Sequence, residues 1–400
     1  MQRDKHSIYK MDKKRTLVII LVLVVYAISS TASYAFFSQN TNINKKLVSP
    51  LPKSLKNSSG ELVFNEESPN TEVCPINGIF YSKEQKDWWD KHRPLAVMIE
   101  NHKESHPQSG LSSADVIYEI VAEGGITRFL SIFYCKDVNP IGPVRSARVY
   151  FLDFVSEYNF PLYAHVGGAN TPGPADALEK IITYGWGGSN DLNQFSIGFP
   201  IFWRDYDRLG SSTATEHTMY SSTTKLWEFA KKSRGLTNLD KKGDEWSDSF
   251  IPYTFKDDID ISKSPIMQDI HLEFWKGYTD FFVDWKYDSK ANNYIRRNGG
   301  VAHIDKNTGK TLTAKNIVVL SMIETNANDG YEDNLHLLYK TKGNGKATIF
   351  MDGKQIDGVW KKDTRISRTL LFDNEGSAIK FNRGNIWFQV LPTSGIMTVK

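Results

Sequence analysis

Cysteine is scarce in this 400-residue chain: only Cys74 and Cys135 occur. Two thiols cannot supply a Cys-rich zinc module, and no Cys/His zinc spacing is present. Also missing are a Walker loop, a GxGxxG after a strand, an HExxH and a GxSxG elbow, so no cofactor and no metal set is expected. Excess charge is lacking as well. The formal net charge is +3, but residues 1–40 hold six Lys/Arg against two Asp/Glu, leaving 43 basic and 44 acidic residues in the remainder. A near-neutral body offers no general footprint for nucleic acid, so no nucleic-acid partner is expected and any anion site must be local. There is no internal repeat.

What is present begins with "KKRTLVIILVLVVYAISSTASYAFF" (residues 13–37). Lys13, Lys14 and Arg15 precede an apolar run from Leu17 to Ile28, with small and aromatic residues continuing to Phe37. Residues 1–15 read as a cytoplasmic basic segment and 16–37 as a transmembrane anchor, with the body outside the cytoplasmic membrane. Ser33-Tyr34-Ala35 would suit a signal cleavage site, giving a secreted form. The pair Cys74/Cys135 is then either a disulfide or two buried thiols; a bridge closing about 60 residues would contribute about 4 kcal/mol.

Residues 38–72, rich in Asn, Ser, Lys and Pro, read as a flexible tether. An α/β (α+β) N-terminal domain is expected over 73–236, a linker over 237–265, and a smaller, mostly β C-terminal domain over 266–400. In the first domain "LAVMIEN" is a strand, and "ADVIYEIVAEGGITRFLSIFYC" forms two strands about Gly124-Gly125. A helix follows Ser146 as N-cap and runs to about Tyr158; then come the strand "LYAHVGG" and a helix opening at Pro174. In the second domain "DGK" and "DNEG" mark hairpins, and "NIWFQVL" reads as an alternating strand.

Polar residues gather at predicted loops. "ENHKESHPQSG" places Glu100, Asn101, His102, Gln108 and Ser109 after a strand, where α/β proteins tend to hold ligands. Glu119, Glu123 and Arg128 flank the hairpin turn. In "IGPVRSARVYFLDF" (Ile141–Phe154), Arg145 and Arg148 straddle Ser146 at a helix start, where positive side chains oppose the helix dipole. Either they gather an anion, as fork-shaped donors for phosphate or carboxylate, or Glu119 or Glu123 neutralises them. Arg204, Arg208 and His217 could complete that site. His165, within an apolar strand, is either a core histidine or a base.

These motifs carry a family resemblance. "RPLAVMIENHKESHPQSGLSSADVIYEIVAEGGITRFLSIFY", "IGPVRSARVYFLDF" and "HVGG" resemble the N-terminal part of the YerB-like exported proteins, a two-part bacterial family of unknown function. "YIRRNGGVAHID", "TAKNIVVL", "GNGKATIFMDGKQIDGVWKK" and "GNIWFQVLP" are similar to its second part. The resemblance implies an envelope-facing protein with an α/β first part and a β-rich second part, and no reaction. Many relatives are lipoproteins, whereas here no Cys follows the apolar run. Relatives often have a Pro-His-Asn-like element where this chain has Glu216-His217-Thr218.

The expected function is recognition of an anionic envelope ligand or an envelope protein by a membrane-held body, with Asn101, Gln108, Ser109, Arg128, Arg145, Ser146, Arg148, Arg204 and Arg208 as binding candidates. The alternative is an envelope hydrolase or transferase acting on a phosphorylated or glycan substrate. Its acids and bases would come from Glu100, Asp115, Glu119, Glu123, His165 and His217.

Overall fold

The structure is a computed structural model that describes residues 12–39, 55–57, 60–210, 213–260, 269–332 and 335–400. Most of the basic segment (1–11), about half of the tether (40–54, 58–59) and the end of the linker (261–265) lie outside the described residues.

The chain forms two units, 1–53 and 54–400. In the first, α1 (Lys13–Gln39) contains the apolar stretch Lys13–Ala35. At 1.5 Å per residue those 23 residues reach about 35 Å, enough to cross a bilayer core of about 30 Å.

The second unit is built on one ten-stranded sheet, whose strands are numbered here along the chain. They are β1 (Leu95–Glu100), β2 (Val116–Glu123), β3 (Ile126–Phe133), β4 (Leu162–His165), β5 (Asp191–Asn193), β6 (Asn316–Met322), β7 (Gly343–Met351), β8 (Lys354–Lys362), β9 (Leu370–Asp373) and β10 (Ile386–Pro392). The spatial order is β9-β8-β7-β6-β10-β2-β3-β1-β4-β5. The architecture is α+β with a strand-rich C-terminal part. Its two sequence parts meet inside the sheet, where β10 lies parallel to β2 with Ile386 opposite Val116 and Gln389 opposite Glu119.

That junction explains β10. "NIWFQVL" was expected to alternate, yet all seven residues of the strand are buried. Parallel neighbours on both sides, β6 and β2, leave it no solvent face. The hairpins form as read: β2 and β3 turn at Gly124-Gly125, and β7 and β8 at Asp352-Gly353, both with positive φ. A second, six-stranded sheet from the C-terminal part packs its Trp285 edge-on to Trp387 of β10, ring centroids 5.1 Å apart.

Part of the expected tether is held to the body. The Leu62 amide donates to Asp137 Oδ2 at 2.8 Å, the Asn139 amide donates to Glu61 Oε1 at 2.9 Å, and Phe64 packs on Trp88. Polar composition hid these contacts because backbone amides and carboxylates make most of them. Cys74 and Cys135 form a disulfide that fastens the same N-terminal margin to the end of β3.

The helix in "IGPVRSARVYFLDF" starts later than its cap signal. α2 spans Val149–Val155, its N-cap is Arg148 without a side-chain cap bond, and a 3₁₀ turn continues it over Ser156–Tyr158. Ser146 is therefore not the N-cap. Residues 141–147 are extended because their backbone groups pair sideways: Arg145 N–H with Met98 O at 2.9 Å, and Ala147 N–H with Gly167 O at 3.0 Å. That pairing holds Ser146 out of the helix.

Candidate functional site

The three arginines of the hairpin and helix start are each bonded to a carboxylate. Arg128, on β3 opposite Glu100 of β1, sends Nη1 to Ser146 O at 2.9 Å and Nη2 to Glu123 Oε1 at 3.0 Å. Arg148 Nη2 also bonds Glu123. Burial would raise the Glu123 pKa, but the Arg128 and Arg148 guanidiniums overcome it and bring it down to about 2. Arg128 and Arg148 are buried, so this triad fastens α2 to the hairpin and neither arginine opens toward solvent.

Arg145 is placed differently. Its Nε bonds Glu100 Oε1 at 3.0 Å, while its two terminal nitrogens have no partner among the described residues. Glu100 Oε2 meets His217 Nδ1 at 2.7 Å. That hydrogen bond raises the His217 pKa against the opposing effect of burial. Three guanidiniums (Arg128, Arg145, Arg148) thus face two carboxylates (Glu100, Glu123).

Arg145 lines a cleft of about 630 Å³ with Ser146, Gly167, Phe195, Arg204 and Glu216. It opens beyond the C-terminal end of β4, where ligand sites of such sheets gather. Asn193 shapes it: its Oδ1 accepts from the Gly167 amide at 3.0 Å and from the Phe195 amide at 3.2 Å. Gly167 has φ +57°, and a Cβ there would stand 2.9 Å from the Phe195 ring, so this corner needs glycine. Phe195 leaves its ring largely exposed. Arg204 is positioned by Thr215 O and by Thr218 Oγ1 at 3.2 Å.

Other candidates are elsewhere. Gln108 donates to Glu100 O at 2.9 Å and to Asn101 Oδ1 at 3.1 Å, and Asn101 donates to Thr127 Oγ1 at 2.7 Å. Both are fully buried. Arg208 bonds Ser109 Oγ at 2.7 Å and Asn307 Oδ1 at 2.5 Å. Asn101, Gln108 and Arg208 reach the second part at Asn298, His303 and Asn307, Ser109 only through Arg208, and none of the four lines the cleft.

Several acid and base candidates are structural in their contacts. Asp115 accepts from the Tyr134 amide at 2.7 Å and from Asn77 Nδ2 at 2.6 Å; Glu119 pairs with Arg296 at 2.8 Å with both side chains fully buried. Burial raises the pKa of both carboxyl groups against their donors and cations. His165 is enclosed, with Nδ1 2.6 Å from Gly167 O and Nε2 2.7 Å from Asp191 Oδ1. Both ring nitrogens are engaged.

Arg296 was missed, although its signal was legible. In "YIRRN", period 2 puts Tyr294, Arg296 and Asn298 on one face, and all three are buried. A buried arginine calls for a buried carboxylate. Glu216 and Phe195 were missed because only the fold carries them to Arg145.

The family described as "Protein of unknown function (DUF3048) N-terminal domain" matches residues 81–237, and its C-terminal domain matches 270–388. "Putative lipoprotein YerB" of Bacillus subtilis (strain 168) is 28% identical over 321 residues, which is 80% of this chain and 86% of that protein. The solved crystal structure of YerB protein from Bacillus subtilis aligns with a TM-score of 0.65 at 25% identity, covering 82% of this chain and 100% of that one.

Proposed function

The chain belongs to the DUF3048 family, a two-part family of unknown function, and from that premise we propose that it is an extracytoplasmic, membrane-anchored protein that recognises an anionic group of the cell envelope. The observation that carries the reading is the pair of guanidiniums, Arg145 and Arg204, on one open cleft, with the terminal nitrogens of Arg145 unpartnered among the described residues. A phosphate or carboxylate seated there would receive charge-assisted bonds, while exposed Phe195 offers a flat apolar face to whatever carries the anion. The reading rests on this cleft and leaves Arg128 and Arg148 to their carboxylate.

The location draws on three observations: an apolar helix that opens with Lys13, Lys14 and Arg15, a disulfide suited to an oxidising compartment, and a relative described as a lipoprotein. The anchor retained as a single pass, N-terminus cytoplasmic, accounts for all three. The hydrolase or transferase alternative draws less support, since Asp115, Glu119 and His165 are closed in by structural partners.

The test is calorimetric titration of residues 54–400, one compact unit, with phosphate-bearing and carboxylate-bearing wall fragments. Saturable binding is expected from one class. Arg145→Ala and Arg204→Ala should each weaken it about 10- to 100-fold, the equivalent of losing one charged bond of about 1.5–3 kcal/mol. No binding of either class, or binding unchanged in the double variant, refutes the reading.

A further inference from the structure

His102, Glu104 and His217 meet beside Glu100, although the histidines are far apart in sequence. A ligand atom from each lies within 4.8 Å of the other two. His217 is buried, His102 is half-buried and Glu104 is exposed. The imidazole rings lie nearly parallel, with centroids 4.9 Å apart.

We propose that His102, Glu104 and His217 form a three-ligand site for a zinc-type divalent transition cation, with water completing the coordination. Two imidazoles and one carboxylate suit a borderline-soft ion, whereas magnesium and calcium prefer oxygen alone. The surrounding contacts resemble what metal-bound histidines require. His217 Nδ1 faces Glu100 Oε2 at 2.7 Å, which fixes the ring and leaves the Nε2 lone pair for an ion; Arg145 in turn holds Glu100. The distances are within reach. Tetrahedral bonds of about 2.0–2.1 Å separate ligand atoms by about 3.4 Å, and His217 Nε2 is already 3.5 Å from Glu104 Oε2. At most roughly 1.4 Å of closure is needed, and the half-buried His102 ring must turn out of its stack on His217 so that both lone pairs meet the ion; rotation of the His102 and exposed Glu104 side chains supplies both. His102 Nδ1 accepts only a long 3.3 Å contact from the Glu104 amide. Binding through Nε2 moves the ring proton to Nδ1 and releases that contact, with no net proton gained or lost at His102.

The site adjoins the anion cleft through Arg145, which lines that cleft and holds Glu100, but its three ligands lie outside the cleft lining and the proposal does not rest on anion binding. The test uses the full chain in detergent, stripped with a chelator and titrated with Co2+ as an optical probe and Zn2+ as competitor. One equivalent should bind, giving visible d–d bands that Zn2+ abolishes and that excess Mg2+ or Ca2+ leaves intact. His102→Ala and Glu104→Ala change side chains outside the core and should each weaken binding at least 10-fold. Glu100→Gln removes no ligand and should weaken it about 10- to 100-fold; His271→Ala, whose partners are Glu273 and Asp284 and none of the three ligands, should not change it. Absence of a stoichiometric cobalt spectrum, or equal affinity in the His102→Ala/Glu104→Ala double variant, overturns the proposal. Arg204→Ala should keep the metal while weakening the anion about 10- to 100-fold, so the two proposals fail separately.

Discussion

Glu123→Gln is the most searching perturbation of the arginine cluster. Glu123 is the shared acceptor of Arg128 and Arg148, whose side chains are only 2% and 9% exposed. The amide keeps the shape and removes the charge, leaving two buried guanidiniums with backbone oxygens Ser146 O and Ala147 O as acceptors. The magnitude follows from linkage. A carboxyl group lowered from 4.5 to about 2 on folding contributes about 3 kcal/mol at neutral pH, at about 1.4 kcal/mol per pH unit. Loss of one partner from a buried pair costs about 3–5 kcal/mol, which agrees. The sign is set by the lowered folded value: the stabilisation is complete above pH 4.5 and is lost as pH falls toward 2. The assay is urea unfolding of residues 54–400, wild type beside Glu123→Gln, at pH 7, 5, 4 and 3. The gap should be about 3 kcal/mol at pH 7 and narrow steadily below pH 4.5. A gap under about 0.5 kcal/mol at pH 7, or one that does not narrow in acid, would refute the assignment of Glu123 as the neutralising group.

Other outcomes are expected on the same grounds. Reducing the Cys74–Cys135 bridge, which spans 61 residues, should lower unfolding free energy by about 4 kcal/mol, read as a fall in urea midpoint. Arg296→Met strands a fully buried carboxylate at Glu119 and should cost about 3–5 kcal/mol; Glu119→Gln on top of it should recover part of that loss, measured as a double-mutant cycle. Ser146→Ala should change stability by less than about 0.5 kcal/mol, because Ser146 caps no helix. Ser222→Ala removes a true N-cap whose Oγ accepts from the Lys225 amide at 3.3 Å and should cost about 1 kcal/mol by chemical denaturation.

Local signals were readable where short-range chemistry decides. The Gly124-Gly125 and Asp352-Gly353 turns require positive φ, and the chain supplies residues that tolerate it. Ser146 misled because a good cap residue competes with sheet-like pairing that only the neighbouring Met98 and Gly167 supply. The loop 100–109 read as a ligand loop by its polarity, yet Asn101 and Gln108 use that polarity internally. They join a chain of contacts to Asn298, His303 and Arg296 in the second part.

By itself the sequence determined the apolar N-terminal segment, the two-part α+β character, the hairpins and the arginine-rich motif, because each depends on composition or on spacing within a few residues. The tertiary structure decided which arginines are neutralised, since Glu100 and Glu123 reach them across strands. It also decided that the two parts share one sheet through β10, and that Arg145, Arg204 and Phe195 surround one cleft. Apart from Glu123 and Arg128, five positions apart across one hairpin, the deciding pairs, such as Glu123 with Arg148, Glu100 with Arg145 and β10 with β2, lie tens to hundreds of positions apart and leave no period in the sequence.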